Sequence, residues 1–182
     1  MKKIAVLLAA GFEECEVVVP VDVWRRMGYD VTLVSTGDGP AVTGAHGMTL
    51  TADAQLGPAA AEHWDAVVCP GGMPGSRNLR DNPAVIDLIQ KVYRQGGITA
   101  AICAAPMVLN RAGLLDGRRF TAYPGMDGEF APNRPDSAAA VQDGQVVTGR
   151  GPGAAFAFAR AVATALGGED AVRTVLTGML VD

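Results

Sequence analysis

The sequence predicts an α/β protein built on a largely parallel sheet, and three observations carry that prediction. Short runs rich in Val, Ile and Ala alternate with stretches whose apolar residues recur at helical spacing, which is the pattern of repeated βα units. Glycines punctuate the ends of the apolar runs, where the chain has to turn from strand to helix. Finally, 182 residues at 49% hydrophobic and 19% charged suit a folded domain spanning 1–182. A chain of that length buries roughly 70% of the surface it would expose unfolded.

Taken in order, Lys2 to Ala9 reads as the first strand. Two lysines before a short apolar run resemble a signal peptide, but Ile4 to Ala10 is short for that role and acids follow at once, so a buried strand is the better reading. Glu13 to Gly28 is a helix with acids in its first turn and Arg25 and Arg26 in its last, as the helix dipole favours. Pro20 must either kink that helix or open a shorter one. Tyr29 to Ser35 is the second strand, and "PAVTGAHGMTLTADAQL" is a short β excursion punctuated by Gly44 and Gly47. Trp64 to Gly72 is a strand that stops in a glycine turn. Asn82 to Gly97 is a helix with Asn82 as its cap and Pro83 at its first position. There follow the strand "ITAAIC", the helix "APMVLNRAGLL", a strand over 118–123 and a polar loop near Met126 to Asp136. A hairpin around Asp143–Gly144 and two closing helices, Gly153 to Leu166 and Glu169 to Thr177, complete the chain.

Composition excludes several functions. A net charge of −4, with basic residues clustered no further than short pairs such as Arg25–Arg26 and Arg118–Arg119, leaves no electrostatic footprint for nucleic acid. No run approaches the ~20 apolar residues of a membrane-spanning helix. The three cysteines are widely spaced, with no CxxC pair and no histidine at ligand spacing, so neither a disulfide framework nor a metal site is expected. A reducing, cytoplasmic compartment follows from that usage.

Cys103 stands where an apolar strand gives way to small residues and a helix. Two readings stay open for it: a small buried hydrophobe, or a nucleophile on a tight elbow whose sulfur faces backbone N–H groups that lower its pKa and hold an oxyanion. The GxSxG pattern of the hydrolases is absent. Gly71 and Gly72 end another strand, where their N–H groups can approach a ligand, or simply make a loop. Of the acids after strand one, Glu13 and Glu14 are expected to face solvent. Glu16 precedes three valines, so it is the one drawn into an apolar setting that raises its pKa and lets it hold or move a proton. Helix capping is the plain alternative for all three. His63 sits at the wrong edge of the sheet. His46 reaches the site only if the β excursion folds over it or a second subunit supplies it, so a Cys–His–Asp triad is poorly supported. Cys15 and Cys69 read as packing residues, with resolution of an oxidised Cys103 as the alternative for a sulfur within disulfide reach.

"AAICAAP", "VVCPGGMPG", "LAAGFEECEVVVPVDVWRRMG" and "GRGPGAAFAFA" together resemble the ThiJ/PfpI superfamily, in particular its parkinsonism-associated deglycase branch, in order from Ile4 to about Leu180. The resemblance implies a flavodoxin-like three-layer sandwich, a homodimer, and no cofactor or metal. It makes Cys103 the nucleophile and Glu16 the protonated carboxyl that tunes it. The backbone donors are then those of the Gly71–Gly72 turn and Ala104, with Tyr123, His46, Gly151 and Pro152 lining the pocket. The activity it implies is glutathione-independent glyoxalase or deglycase chemistry on methylglyoxal, glyoxal or glycated side chains. Oxidant sensing or chaperone-like protection through the same cysteine is the second reading, and an amidase or protease the third. Two departures stand out. Tyr123 occupies a place where many relatives carry histidine, and His46 one where some carry arginine.

Overall fold

The structure is a computed structural model that describes residues 1–133 and 135–181. Its main sheet has seven strands, and the strand order explains where a site can form. β1 (Lys3–Leu8) lies at the centre, with β2 (Asp30–Ser35) on one side and β6 (Ala66–Cys69) on the other, both parallel to it. β5 (Ala54–Gln55) extends the sheet beyond β2, and β7 (Ile98–Ile102) extends it beyond β6. β9 (Val146–Gly149) pairs parallel with β7, and β8 (Ala140–Asp143) closes the edge antiparallel to β9. The chain thus leaves β1 in one direction and returns to its other side. The crevice at the carboxyl ends of β1, β6 and β7 is the topological switch point where open α/β sheets bind ligands.

Helices cover both faces. α1 (Glu14–Arg26), α6 (Ala155–Ala165) and α7 (Glu169–Gly178) pack together on one. α2 (Leu56–Ala61), α3 (Gly75–Arg80), α4 (Pro83–Arg94) and α5 (Pro106–Arg111) cover the other. β1, β6 and β7 are buried on both sides, which is why they read as near-continuous apolar runs rather than as an alternation. This is the flavodoxin-like three-layer arrangement that the resemblance implies. No described helix is long and apolar enough to cross a membrane.

Several expected elements come out differently. Residues 118–123 form no strand, only a bridge between Thr121 and Asp136. β9 already occupies the edge of β7, so this segment spends its N–H groups elsewhere, Thr121 on the Thr148 hydroxyl (2.8 Å) and Tyr123 on the Cys103 carbonyl (2.8 Å). The β excursion resolves into an antiparallel pair, β3 (Ala41–Thr43) and β4 (Thr49–Thr51), followed by β5 and α2. α1 runs without interruption through Pro20, leaving the Glu16 carbonyl without its helical partner. The polar loop contains a short 3₁₀ turn at Asp127–Glu129, while Arg134 within it lies outside the described residues. Before α6 the chain makes a further 3₁₀ turn, Pro152–Ala154.

Candidate active site

Cys103 follows β7 in a left-handed backbone conformation, φ 64°, one of two non-glycine residues with positive φ among the described residues. That conformation costs roughly 1–2 kcal/mol for a residue with a side chain, and hydrogen bonds on both sides hold it. The Cys103 N–H donates to the Gly149 carbonyl, and its carbonyl accepts from the Tyr123 N–H, each at 2.8 Å. The elbow is therefore fixed by β9 and by the 120–123 segment as well as by its own strand.

Glu16 faces it from the first turn of α1. The Glu13 side chain caps that helix by accepting the Glu16 N–H at 2.9 Å, which sets the angle at which the Glu16 side chain enters the crevice. Glu16 Oε2 accepts the Gly71 N–H at 2.8 Å. Glu16 Oε1 is buried and has no hydrogen-bond partner, and the carboxyl lies beside the Cys103 thiol, which acts on it. Burial pushes the Glu16 carboxyl up to about 7, against the pull of the Gly71 and Cys103 hydrogen bonds.

The thiol moves in the opposite sense from the one expected of an elbow. Burial first, and then the charge and hydrogen bond of Glu16, push Cys103 up to about 12, while the N–H groups of Gly72 and Ala104 pull it down without prevailing. The two acids thus compete for one negative charge. When the charge sits on the carboxylate, the thiol stays neutral. When it sits on sulfur and Glu16 keeps the proton, the Glu16 O–H joins the Gly72 and Ala104 N–H groups as a third donor to the anion, and the contributions from ionised Glu16 that opposed the thiolate disappear.

The remaining predicted residues divide clearly. Gly71 spends its N–H on Glu16, so it is a support for the carboxyl rather than an oxyanion donor; Gly72 and Ala104 are the donors that face sulfur. Gly71 is also packed too tightly for any side chain, since a Cβ there would lie 2.5 Å from Glu16 Oε2 and 2.6 Å from Cys103 Cβ. Tyr123, Gly151 and Pro152 line one cleft beside the elbow, together with Arg150, which sequence reasoning overlooked. Arg150 is the one charged side chain of the "GRGPG" turn after β9, the signal that could have found it.

His46 does not line that cleft. The β3–β4 hairpin folds over the loop after β1, through Gly11 N–H to the Thr43 carbonyl (2.8 Å) and Ala45 N–H to the Phe12 carbonyl (2.7 Å), and His46 is held by Glu14. Glu13 and Glu14, expected in solvent, are buried for the same reason. Glu14 accepts the His46 N–H (2.7 Å) and meets its ring Nδ1 (2.8 Å); the ring hydrogen bond heads the causes that raise the imidazole pKa, and it helps lower that of Glu14 against its burial. Glu13, Glu14 and His46 offer three ligand atoms within 4.8 Å of one another, a set already accounted for by the α1 cap and the Glu14–His46 bond. His63 is exposed. Cys69 is buried in β6 and its thiol is pushed up to about 12 by that burial, as befits a packing residue. Cys15 is exposed on α1, so packing does not explain it.

A buried carboxyl set against a thiol on a strained strand-to-helix elbow, at the switch point of a parallel sheet, defines the class: flavodoxin-like proteins with a cysteine elbow. The chain belongs to the DJ-1/PfpI family, whose family model matches residues 2–165. It is 38% identical to Protein dj-1beta of Drosophila melanogaster over 182 residues, 99% of this chain and 97% of that one, and the crystal structure of the Drosophila protein superposes with a TM-score of 0.94. Toxoplasma gondii DJ-1, solved in an oxidized form, is 31% identical with a TM-score of 0.94, covering 99% of this chain and 98% of its own. A deglycase of Pyrococcus abyssi is 33% identical over 160 residues, 87% of this chain and 95% of its own.

Proposed function

We propose that the chain is a cofactor-free, cysteine-dependent enzyme of glyoxalase or deglycase type, acting on methylglyoxal, glyoxal or their early adducts on protein side chains. The observation that carries this reading is the buried Glu16 carboxyl beside the Cys103 thiol, with one of its oxygens left without a hydrogen-bond partner. A carboxyl pushed up to about 7 both takes and returns a proton near neutral pH. In the reaction, the Cys103 thiolate adds to the aldehyde carbon of methylglyoxal, and the carbonyl oxygen takes the proton held by Glu16, giving a hemithioacetal. Glu16 then moves the proton from that carbon to its neighbour while the hydroxyl proton passes to the ketone oxygen, so that the first carbon is oxidised to a thioester as the second is reduced to an alcohol. Water hydrolyses the thioester, releasing lactate and the thiol. The Gly72 and Ala104 N–H groups serve the developing oxyanion. The deglycase name of the archaeal relative supports the same class of substrate. The whole chain acts as one domain in this account. The free cysteines suit a reducing, cytoplasmic setting, and the homodimer is the assembly implied by the resemblance.

Lactate production from methylglyoxal without glutathione is the assay. Cys103→Ser is expected to abolish it, and Glu16→Gln to lower kcat by about 10²–10⁴-fold, the usual worth of one positioned acid–base group. Full activity in Cys103→Ser contradicts the mechanism.

The oxidized form of the Toxoplasma relative favours a second reading, in which Cys103 senses oxidants and the Glu16 O–H stabilises its sulfinate. Mass spectrometry after peroxide treatment distinguishes the two. Selective gain of two oxygens at Cys103 with negligible aldehyde turnover supports the sensor, whereas turnover without selective oxidation supports the enzyme.

A further inference from the structure

The two segments that hydrogen-bond the elbow backbone also wall a cleft. Tyr123 donates to the Cys103 carbonyl, and the chain that runs on from Gly149, the acceptor of the Cys103 N–H, supplies the opposite wall. The cleft encloses about 380 Å³. That is the volume of roughly a dozen waters, whereas a three-carbon dicarbonyl fills the space of about five. A substrate larger than methylglyoxal fits it.

The lining mixes apolar side chains, from Tyr123, Pro124, Ala139 and Pro152, with polar backbone and one charged side chain, Arg150. Arg150 Nη1 donates to the Ser137 carbonyl at 3.1 Å, which anchors the guanidinium, and no ion pair joins it to a carboxylate among the described residues. Among the described residues, no acid lines this cleft. In the adjoining depression that Arg150 also borders, Asp136 is paired with Arg119 at 2.9 Å, and Asp127 makes no ion pair among the described residues. An anchored guanidinium without a counter-ion, in a cleft that Cys103 does not itself line but whose walls hydrogen-bond the Cys103 elbow, is a receptor for an anion on the substrate. The first turn leading into α6, which has no side-chain cap, forms part of the same wall.

We propose that Arg150 determines substrate choice by receiving an acidic group, carboxylate or phosphate, carried at the far end of the dicarbonyl, so that the site prefers anionic dicarbonyls to methylglyoxal. This rests on the aldehyde reading of Cys103 given above. The test compares turnover of methylglyoxal with that of 4,5-dioxovalerate, whose dicarbonyl end reacts identically and whose carboxylate lies at the other end. The wild-type protein is expected to show a higher kcat/KM for 4,5-dioxovalerate. In Arg150→Gln the ratio of the two values should fall roughly tenfold to a hundredfold, the worth of a charge-assisted hydrogen bond, mainly through KM, and Arg150→Lys should recover part of it. Inorganic phosphate and propionate, as competitors of methylglyoxal turnover, tell which acidic group is preferred. A ratio unchanged by Arg150→Gln, or competition by neither anion, overturns the proposal. Should the wild-type protein turn over neither dicarbonyl, the aldehyde reading fails. The cleft is then judged alone by calorimetry with inorganic phosphate. Binding lost in Arg150→Gln upholds an anion site, and binding that is absent or equal in both proteins removes it.

Discussion

Glu16 is the residue on which both chemistry and stability turn. It is 1% exposed, and its carboxyl is pushed up to about 7 from an ordinary 4.5. Between those values the native state keeps a proton that the unfolded chain has lost. The stabilisation is fully present below about pH 4.5 and disappears as pH rises through 7. At 1.36 kcal/mol per unit, roughly 2–3 kcal/mol is lost from about pH 5 to about pH 8. Denaturant unfolding of the wild type and of Glu16→Gln at both pH values should show the wild type losing that much relative to the variant; parallel behaviour would contradict the assigned ionisation. This residue was legible in part: the valines after Glu16 point to an apolar setting and Val17 is buried with it, although Val18 is exposed and Val19 only half-buried. The Cys103 pKa was not. The strand-to-helix switch reveals the N–H donors, but the burial and the facing carboxylate that outweigh them come from α1 and the β6 turn, far away in the chain. Glu13 and Glu14 were misplaced for a similar reason: the hairpin that covers them is thirty residues on.

At the scale of elements, the turn after β6 is the tightest joint in the site. Gly71 has no room for a methyl group between Glu16 and Cys103, and both its missing side chain and its N–H are used. Gly71→Ala is therefore expected to lower stability by roughly 1–3 kcal/mol and to remove Cys103-dependent turnover. Gly178→Ala, in α7 with open space around it, should be neutral or stabilising by about 0.5–1 kcal/mol. Thermal unfolding and the lactate assay on both variants check this, and a tolerant Gly71 would mean that the turn does not position the pair. The strands β1, β2, β6, β7 and β9 were readable because each is a β-branched or alanine-rich run bounded by turn residues. The six-residue helices α2 and α3 are too short to show a helical period. Residues 118–123 have strand-like composition, yet they form no strand because a segment later in the chain, β9, takes the neighbouring edge.

For the whole molecule, strand order does what no single motif could: it brings the loops after β1, β6 and β7 to one crevice. The resemblance to the family made that convergence predictable from four short motifs, one of which contains Arg150, whereas the Glu14–His46 bond needed the folded chain. Val18, one turn along α1 from Glu14, and Met48, whose N–H Glu14 accepts, leave an apolar side exposed near the hairpin. The proposed homodimer places a partner there. Sedimentation should show a dimer that Val18→Glu shifts toward monomer, and a monomeric wild-type protein would contradict it. Central to the account is that Cys103 and Glu16 compete for one negative charge, so that an ionised Glu16 holds the thiol neutral and a protonated or neutral group in its place releases it. The most direct test is ultraviolet thiolate absorbance across pH in the wild type and in Glu16→Gln, with Cys103→Ser as the blank. The account predicts that the Cys103 thiolate, pushed up to about 12 in the wild type, forms at distinctly lower pH in Glu16→Gln, where the opposing carboxylate charge is gone. Thiolate signals that coincide in the two proteins would contradict it.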